Sequence, residues 1–445
     1  MKILIAGAGA VGTHLARLLG QENHDITLMD ADRERLSIIR DNSDIMTYIG
    51  NCTSLNDLAA AGVANTDLFI GVTPEESKNI TSCMLSSNLG AKKTLARIDN
   101  HEYLLPKNLV FFEKLGIQSM IYPELMAARE IVMAIKTPWT RFWWELCNGK
   151  VILVGAKIRS NAPIVNKHLY ELTQESKQFH LVSIKRGKET IIPQGNDQIL
   201  ANDILYFTSL RKHIDILPEL LGKKSFETKK LMFMGGSRIT MRTIQQLPQN
   251  IDIKIIEQDR ERAEMLVEKC PSNVTVFVED GRNTEFLIRE GIAETDAFLA
   301  LTANSEANIL GCMVAKQYGV KKTVAEIENI DYISMAEQLD IGTVINKKLI
   351  AASAIYELLL KADASNIKNL TYADANVGEV IAKPNSKVTR KKIKDLKLSS
   401  DITFGALIRR GEPMLVDGNT QIEANDRVVV FFLNRSLKSI ENLFN

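Results

Sequence analysis

Short apolar runs alternate along the chain with segments whose apolar residues recur every three or four positions. The run ILIA after Lys2 leads into a glycine-rich turn and then into HLARLL, which has helical spacing. Further apolar runs follow in DITLMD, MTYIG, DLFIG and TLARI. Short buried strands separated by helices are typical of a parallel sheet with helices on both faces. The start of the chain is therefore predicted to form an α/β domain.

The same pattern occurs a second time. Residues 79–98 read NITSCMLSSNLGAKKTLARI and residues 308–327 read NILGCMVAKQYGVKKTVAEI, so about half of the positions are identical. The opening strands KILIAGAGAVG and KLMFMGGSRIT correspond as well. After each copy, near residues 150 and 377, a strand leads to a short helix and then to two strands around an Arg-Gly turn. Duplication of a large and a small unit is the simplest explanation.

The predicted fold is therefore two tandem Rossmann-like, doubly wound parallel-sheet domains, each followed by a small α+β module. Turn-forming and polar segments mark the boundaries, for example Thr137-Pro138 and the polar stretch that begins at Lys361. The predicted domains are residues 1–137, 138–225, 226–362 and 363–445. A length of 445 residues agrees with several cores, because single domains usually stop growing at about 250–300 residues.

Composition and charge argue against several classes of protein. The formal charge of +1 provides no basic field for a polyanion, so we expect no nucleic-acid partner. The five cysteines are widely spaced without a C-x-x-C pair, which favours reduced thiols over disulfides or a zinc site. No apolar run approaches the roughly 20 residues of a membrane-spanning helix, and no signal peptide is recognisable. A cytoplasmic protein is expected.

A glycine fingerprint directly follows the first strand: Gly7, Ala8, Gly9, Ala10, Val11 and Gly12. In this motif the first glycine permits a tight turn, the second lets a pyrophosphate approach the backbone, and the third lets the helix pack on the strand. The helix N-terminus then offers unpaired N–H groups to phosphate. Asp30 ends the next strand, where a carboxylate accepts hydrogen bonds from ribose hydroxyls. Asp30 would repel a 2′-phosphate, which favours NAD(H) or an adenosine nucleotide over NADP.

Further candidates follow the other predicted strands of the first copy, at the edge where parallel sheets bind ligands. Cys52 and Thr53 follow the third strand, Thr73 the fourth, and Arg97 the fifth. Arg97 is a candidate phosphate partner, with a surface ion pair as the alternative. A reactive-thiol role for Cys52 has little support, because no base or second cysteine accompanies it.

The second copy has an altered fingerprint. Ser237 and Thr240 replace the second and third glycines, and Glu326 stands where the first copy has Arg97. The acid after the second strand survives as Glu257, and Asp280 follows the next strand, so both remain candidate ligand residues. A side chain on Ser237 narrows the approach to the backbone. This copy binds weakly, binds another ligand, or is structural, and the last interpretation is favoured.

The order GAGAVG, Asp30, GNCTS, VTPEESKN and LARI, followed by a long helix and a small β-rich module, resembles the peripheral subunits of Trk potassium-uptake systems. The resemblance covers essentially the whole chain, including the duplication. It implies a cytosolic homo-oligomeric ring bound to a potassium-translocating membrane subunit, with NAD(H) and ATP/ADP as ligands. It also implies that Gly7 to Val11, Asp30, Cys52, Thr53 and Arg97 line the first site. Asn51 departs from the acidic residue that the family often has there.

The predicted function is therefore a nucleotide-sensing regulatory subunit that lies on the inner face of the membrane through its partner. No enzymatic role is expected, because the chain shows neither an activated nucleophile nor a histidine that recurs in both copies. Two alternatives remain open. One is a regulator of another cation transporter, and the other is an NAD-dependent oxidoreductase.

Overall fold

The computed structural model describes residues 1–20, 24–40, 45–175, 177–187, 189–360, 364–369, 375–433 and 437–444. The chain forms two compact units. The first contains Met1–Ala127 together with Lys347–Ile355, and the second contains Ala128–Asn346 together with Tyr356–Asn445. The boundary predicted between residues 362 and 363 lies outside the described residues.

The first unit is built on a six-stranded parallel sheet with the strand order β3-β2-β1-β4-β5-β6. Its strands are β1 (Lys2–Ala6), β2 (Asp25–Asp30), β3 (Met46–Ile49), β4 (Leu68–Gly71), β5 (Thr94–Arg97) and β6 (Ser119–Ile121). The helices are α1 (Ala10–Gly20), α2 (Arg33–Arg40), α3 (Leu55–Ala60), α4 (Glu76–Asn88), α5 (Pro106–Lys114) and α6 (Pro123–Lys136), of which α6 continues into the second unit. The strand order reverses between β1 and β4, where open α/β sheets bind their ligands.

Burial explains why these residues form a central sheet. All four residues of β4 are buried, and β1 is buried after its first residue, as expected for strands covered on both faces. Leu4, Phe69 and Ala96 belong to one core cluster with residues of α3 and α4. Because the centre of the sheet is buried, the ligand-accessible surface of this unit is its edge, where the strands end and the helices begin.

The second unit begins with a five-stranded antiparallel sheet of order β10-β9-β11-β8-β7. Its strands are β7 (Phe142–Leu146), β8 (Val151–Lys157), β9 (Phe179–Arg186), β10 (Glu189–Ile191) and β11 (Ile204–Leu210), and its helices are α7 (Leu169–Glu175) and α8 (Leu217–Leu220). Arg186 pairs with the buried carboxylate of Asp203 at 2.7 Å. Arg409 pairs with Asp426 at the same distance in the second small module. The repeated ion pair is the three-dimensional counterpart of the sequence repeat.

A second six-stranded parallel sheet follows, of order β14-β13-β12-β15-β16-β17. Its strands are β12 (Lys230–Met234), β13 (Asp252–Glu257), β14 (Val274–Val278), β15 (Ala297–Ala300), β16 (Lys322–Glu326) and β17 (Thr343–Ile345). Its helices are α9 (Arg238–Ile244), α10 (Arg260–Lys269), α11 (Thr284–Arg289), α12 (Ser305–Gln317), α13 (Asp331–Gln338) and α14 (Lys347–Leu360). The order matches that of the first sheet strand for strand.

The second small module is again a five-stranded antiparallel sheet, of order β18-β19-β22-β20-β21. It comprises β18 (Ala364–Asn369), β19 (Ala375–Ile381), β20 (Ile402–Arg409), β21 (Glu412–Leu415), β22 (Arg427–Leu433) and α15 (Leu437–Phe444). The two small modules contact each other: the N–H of Cys147 donates to the buried carboxylate of Glu379 at 2.8 Å. The predicted fold class, two Rossmann-like domains each followed by an α+β module, is confirmed.

Among the described residues, no helix is both long and apolar enough to cross a bilayer.

Candidate functional site

The glycine-rich turn lies between β1 and α1, at the carboxyl edge of the first sheet. Gly7 has φ +112°, and its N–H donates to the carbonyl oxygen of Met29 at 2.8 Å. A Cβ on Gly12 would overlap the carbonyl oxygen of Gly7. The backbone and packing of the first turn therefore require Gly7 and Gly12.

Gly9 differs from the other two glycines. A Cβ built on Gly9 would meet no atom of the described residues within 4 Å, and the φ of Gly9 is outside the left-handed region. Packing within the protein thus gives no reason for a glycine at this position. The open space lies at the start of α1, where the first backbone N–H groups of a helix have no intrahelical acceptor. This combination suits a bound phosphate.

Asp30 ends β2 and holds the same turn. One carboxylate oxygen accepts from the N–H of Ala8 at 2.6 Å, and the other accepts from the N–H of Asp32 at 2.9 Å. Each carboxylate oxygen can accept a second hydrogen bond, so the group can also receive a ribose hydroxyl. Asp30 is only partly buried.

Asn79, on α4, connects the ends of β4 and β5. Its Oδ1 accepts from the N–H and the hydroxyl of Thr73, both at 2.8 Å. Its Nδ2 donates to the carbonyl oxygens of Thr73 and Arg97, both at 3.0 Å. Asn79 is 1% exposed, so it fixes two candidate residues without facing the site itself. Sequence reasoning did not select it, although the recurrence of Asn308 in the second copy was a signal.

Arg97 is paired with carboxylates. Its Nη2 lies 3.2 Å from Oε1 of Glu124 and 3.7 Å from Oδ1 of Asp99, and its side chain is 20% exposed. Its buried Nε has no hydrogen-bond partner in the part of the chain that the structure describes. Because Nε is buried, only the exposed fifth of the Arg97 side chain is accessible to an anion from the site.

The loop after β3 carries the candidates Cys52 and Thr53, and neither has a charged side chain. Cys52 is 8% exposed, and burial raises the pKa of its thiol, which opposes formation of a reactive thiolate. The N–H and hydroxyl of Thr53 donate to Oδ1 of Asn51 at 3.0 and 2.8 Å. Asn51 therefore shapes this loop through its neutral amide.

In the second copy, the corresponding turn is filled by its own side chains. Oγ of Ser237 accepts from the N–H of Thr240, which caps α9 where the first copy has an open Gly9. The Thr240 hydroxyl donates to the carbonyl oxygen of Gly235 at 2.7 Å. A helix N-terminus capped in this way has fewer free N–H groups for a phosphate.

The two acidic candidates of the second copy also have partners. Oε2 of Glu257, which is 6% exposed, accepts from the N–H of Gly236 at 2.8 Å, as Asp30 does from Ala8. Asp280 forms an ion pair with Arg282 at 2.7 Å, and the hydrogen bonds from Arg282 lower the pKa of its carboxyl group.

The carboxyl edge of the first sheet thus brings together the first-copy candidates: Gly7, Ala8, Gly9, Ala10, Val11, Gly12, Asp30, Cys52, Thr53, Thr73 and Arg97. Glu257 and Asp280 lie at the corresponding edge of the other parallel sheet. No cluster of metal-ligating side chains occurs within the described residues.

These features define a class of protein: a duplicated Rossmann-domain chain with small α+β modules, one open glycine turn and one turn closed by its own side chains. Comparison with known proteins gives the family. Residues 3–123 and 231–347 match the TrkA-N domain, and residues 153–222 and 377–445 match the TrkA-C domain. The chain belongs to the TrkA family.

Full-length relatives agree with this assignment. The chain is 30% identical to the Trk system potassium uptake protein TrkA of Haemophilus influenzae and 31% identical to that of Vibrio alginolyticus. Each alignment covers 100% of this chain and 98% of the relative. Among solved structures, the GsuK channel bound to NAD has the same fold, with a TM-score of 0.62 at 14% identity, over 100% of this chain and 78% of that one.

Proposed function

We propose that this chain is a nucleotide-sensing regulatory subunit of a Trk-type potassium-uptake system. It acts from the cytoplasmic face on a membrane-embedded translocating subunit. Relatives named as Trk potassium-uptake proteins support the physiological role over the full length of the chain. The open position at Gly9, beside the turn held by Asp30, carries the nucleotide part of the proposal.

The proposed ligands are NAD(H) and ATP/ADP, bound at the carboxyl edge of the first sheet. The phosphates lie against Gly9 and the start of α1, and Asp30 accepts the ribose hydroxyls. Arg97 presents the exposed part of its side chain to the phosphates or the base. The GsuK structure with bound NAD supports a dinucleotide at such a fold. The second copy, in which Ser237 caps the helix and Glu257 is buried, is proposed to support the assembly without binding a nucleotide.

Regulation follows from linkage. A nucleotide shifts the equilibrium between two shapes of the ring only if it binds one shape more tightly than the other. Coupling of about 1–3 kcal/mol between the nucleotide site and the membrane partner is typical and changes activity several-fold or more. Two nucleotides with different preferences for the two shapes would then act as activator and inhibitor.

The site assignment is tested with Asp30→Ala, compared with Glu257→Ala as the matched control. Both substitutions remove a carboxylate that accepts a hydrogen bond from the glycine-rich turn, but only Asp30 lies in the open copy. We expect Asp30→Ala to weaken NADH and ATP binding about 10-fold or more, and Glu257→Ala to leave it unchanged. Equal affinities of wild type and Asp30→Ala in calorimetric titrations would refute the assignment.

The physiological assignment is tested by co-purification from membranes, with the partner identified by mass. A potassium-translocating subunit supports the proposal, whereas a different cation transporter supports the alternative regulator. The oxidoreductase alternative requires a change in nicotinamide absorbance with turnover when candidate substrates are added.

A further inference from the structure

A cavity of about 270 Å³ lies in the second unit, away from both glycine-rich turns. Lys322 and Thr343, the first residues of β16 and β17, line it, so it lies at the amino ends of these strands. The ligand edge of a Rossmann sheet is the opposite one. The rest of the wall comes from the segment after α6, the end of β8, the segment between α8 and β12, and the end of α12.

The wall is strongly basic. Among the described residues that form it are eight cationic side chains and no acidic one: Arg141, Lys157, Arg159, Lys223, Lys224, Lys316, Lys321 and Lys322. The carboxylate of Asp340 lies against several of these cations. It pairs with Arg141, and it lies 3.1 Å from Arg159 and 3.2 Å from Lys316. Glu337 also interacts electrostatically with Arg141 and Lys157. Two carboxylates beside eight lining cations still leave an excess of positive charge around the cavity.

Two of the cations are deeply buried. The side chain of Arg141 is 9% exposed, and its buried Nη1 has no hydrogen-bond partner within the described residues. Lys322 is 4% exposed, and its Nζ donates to the carbonyl oxygen of Thr140 at 2.6 Å and to the hydroxyl of Thr343 at 3.0 Å. Neither acceptor of Lys322 is an anion.

Burial and the neighbouring cations lower the pKa of Lys322 to about 7, and burial with repulsion from Arg159 lowers that of Lys223 to about 8. Burying cations without matching anions costs free energy. An anion from outside the chain would remove this cost.

We propose that this cavity binds a small molecule that carries two or more adjacent phosphate groups. Several cations around one small space match a compact anion with multiple charges better than a single carboxylate or chloride. The guanidinium fork of Arg141 suits phosphate oxygens, and the lysines add point charges. A volume of 270 Å³ is slightly below the roughly 300–1,000 Å³ of typical ligand pockets, which favours a compact group.

The aromatic lining adds a second element of recognition. Trp139 and Phe226 also line the cavity, and the ammonium of Lys321 lies 5.0 Å from the centre of the Phe226 ring. Aromatic faces beside cations can stack a nucleobase. Inorganic polyphosphates and nucleoside polyphosphates share the chemistry that the cavity recognises. This site is independent of the nucleotide site at Gly9, because it lies in the other unit.

The test is calorimetric titration of the full chain with inorganic tripolyphosphate. The Gly9→Ala variant serves as the starting protein, which removes phosphate binding at the first glycine turn. We expect Lys223→Gln/Lys224→Gln to weaken tripolyphosphate binding about 10-fold or more, since two charge-assisted contacts are lost. Removing mutually repelling cations should not unfold the protein. Lys391→Gln/Lys392→Gln, an exposed pair outside the cavity, is the matched control and should bind within about 2-fold of the starting protein.

Titrations with ATP and AMP distinguish a nucleoside polyphosphate from an inorganic polyphosphate as the ligand. Tighter binding of ATP than of tripolyphosphate, again lost in the Lys223/Lys224 variant, identifies a nucleoside polyphosphate. Equal affinities for ATP and tripolyphosphate mean that the cavity recognises only the phosphate chain. AMP, with a single phosphate, should bind weakly in either case. The proposal is overturned if tripolyphosphate does not bind, or if the cavity variant and the control variant lose affinity equally. A failure of the Asp30 experiment would leave these outcomes unaffected.

Discussion

Two glycines of one motif serve different purposes. Gly12 has no room for a side chain, because a Cβ would overlap the carbonyl oxygen of Gly7. Gly9 has room, but the room opens toward the start of α1 where a phosphate is proposed to bind. In the second copy the equivalent position is Thr240, whose hydroxyl donates to the carbonyl oxygen of Gly235. The fold and the ligand therefore constrain the motif independently.

Gly9→Ala and Gly12→Ala should separate these constraints. Gly9→Ala should fold with unchanged stability but lose at least about 10-fold in NADH and ATP affinity, because the methyl group occupies the phosphate position. Gly12→Ala should destabilise the first unit by about 1–3 kcal/mol or more through overpacking. Chemical unfolding and calorimetric titration measure the two effects. Gly195→Ala, where the added Cβ would make only an ordinary contact with the Cβ of Tyr170 at 3.9 Å, is the control. Nucleotide binding that survives Gly9→Ala would contradict the proposed site.

The lowered pKa of Lys322 predicts that the stability of the second unit depends on pH. The pKa of Lys322 is lowered to about 7 by burial, whereas an unfolded lysine titrates near 10.5. Between these values the unfolded chain holds more protons than the folded one, so stability rises with pH. Arg141 and Lys223 act directly on Lys322. The charged groups around them include Lys157, Arg159, Lys316, Glu337 and Asp340.

We expect the free energy of unfolding of the second unit to increase from pH 7 to pH 9. Each fully shifted lysine contributes up to roughly 1.4 kcal/mol per pH unit. Lys322→Met should flatten this dependence, and Lys391→Met, on an exposed surface, should not. Tryptophan fluorescence during urea unfolding reports on this unit specifically, because all three tryptophans lie between residues 139 and 144. An unchanged slope in Lys322→Met would show that other groups dominate.

At the level of the elements, each parallel sheet has a buried helical asparagine that forms hydrogen bonds with the ends of two neighbouring strands. Asn308 on α12 bonds to the N–H, hydroxyl and carbonyl oxygen of Thr302 and to the carbonyl oxygen of Glu326, as Asn79 does with Thr73 and Arg97. Asn308 is fully buried. The duplication has thus preserved this connection even though the glycine-rich turns have diverged.

Asn79→Ala and Asn308→Ala form a matched pair for this connection. Each should destabilise its own sheet by about 2–4 kcal/mol, because several hydrogen bonds are lost and buried groups remain unpaired. Only Asn79→Ala should also weaken nucleotide binding, since it releases the loops that carry Thr73 and Arg97. Hydrogen exchange locates the destabilised sheet, and titration with NADH measures the binding. If Asn79→Ala and Asn308→Ala weaken NADH binding equally, the effect of Asn79 on binding is not specific to the first nucleotide site.

At the scale of the whole molecule, each long helix belongs only partly to the sheet that precedes it in sequence. Residues 347–355 of α14 group with the first 127 residues, and residues 128–136 of α6 group with the later part of the chain. Ile355 is fully buried. Segments distant in sequence therefore complete the core of the first unit.

Ile355→Ala should lower the stability of the first unit by about 2–4 kcal/mol, as expected for truncating a buried isoleucine. We expect faster hydrogen exchange in peptides from β1, β4 and β5. Peptides from β19 and β22 should exchange as before. Ser353→Ala, at a half-buried position on the same helix, is the control. Faster exchange confined to the second unit would mean that Ile355 stabilises the other core.

Much of the candidate site was predictable because it depends on spacing along the chain. Gly7, Gly9 and Gly12 lie within one turn, and Asp30 ends the next strand, so local pattern was sufficient to identify them. The pairing of Arg97 with Glu124 and the bonds of Asn79 were not predictable. These contacts join elements whose relative positions depend on packing in three dimensions.

The sequence by itself determined the order of strands and helices, the duplication and the difference between the two glycine turns. Each follows from periodicity or from residue identity at fixed spacing. Only the tertiary structure revealed that Gly9 faces open space and that α14 contributes to the first unit. It also brought Arg141, Lys223 and Lys322 to one cavity. Residues so far apart in the chain meet only after the sheets and modules have packed, and burial then determines which charges remain uncompensated.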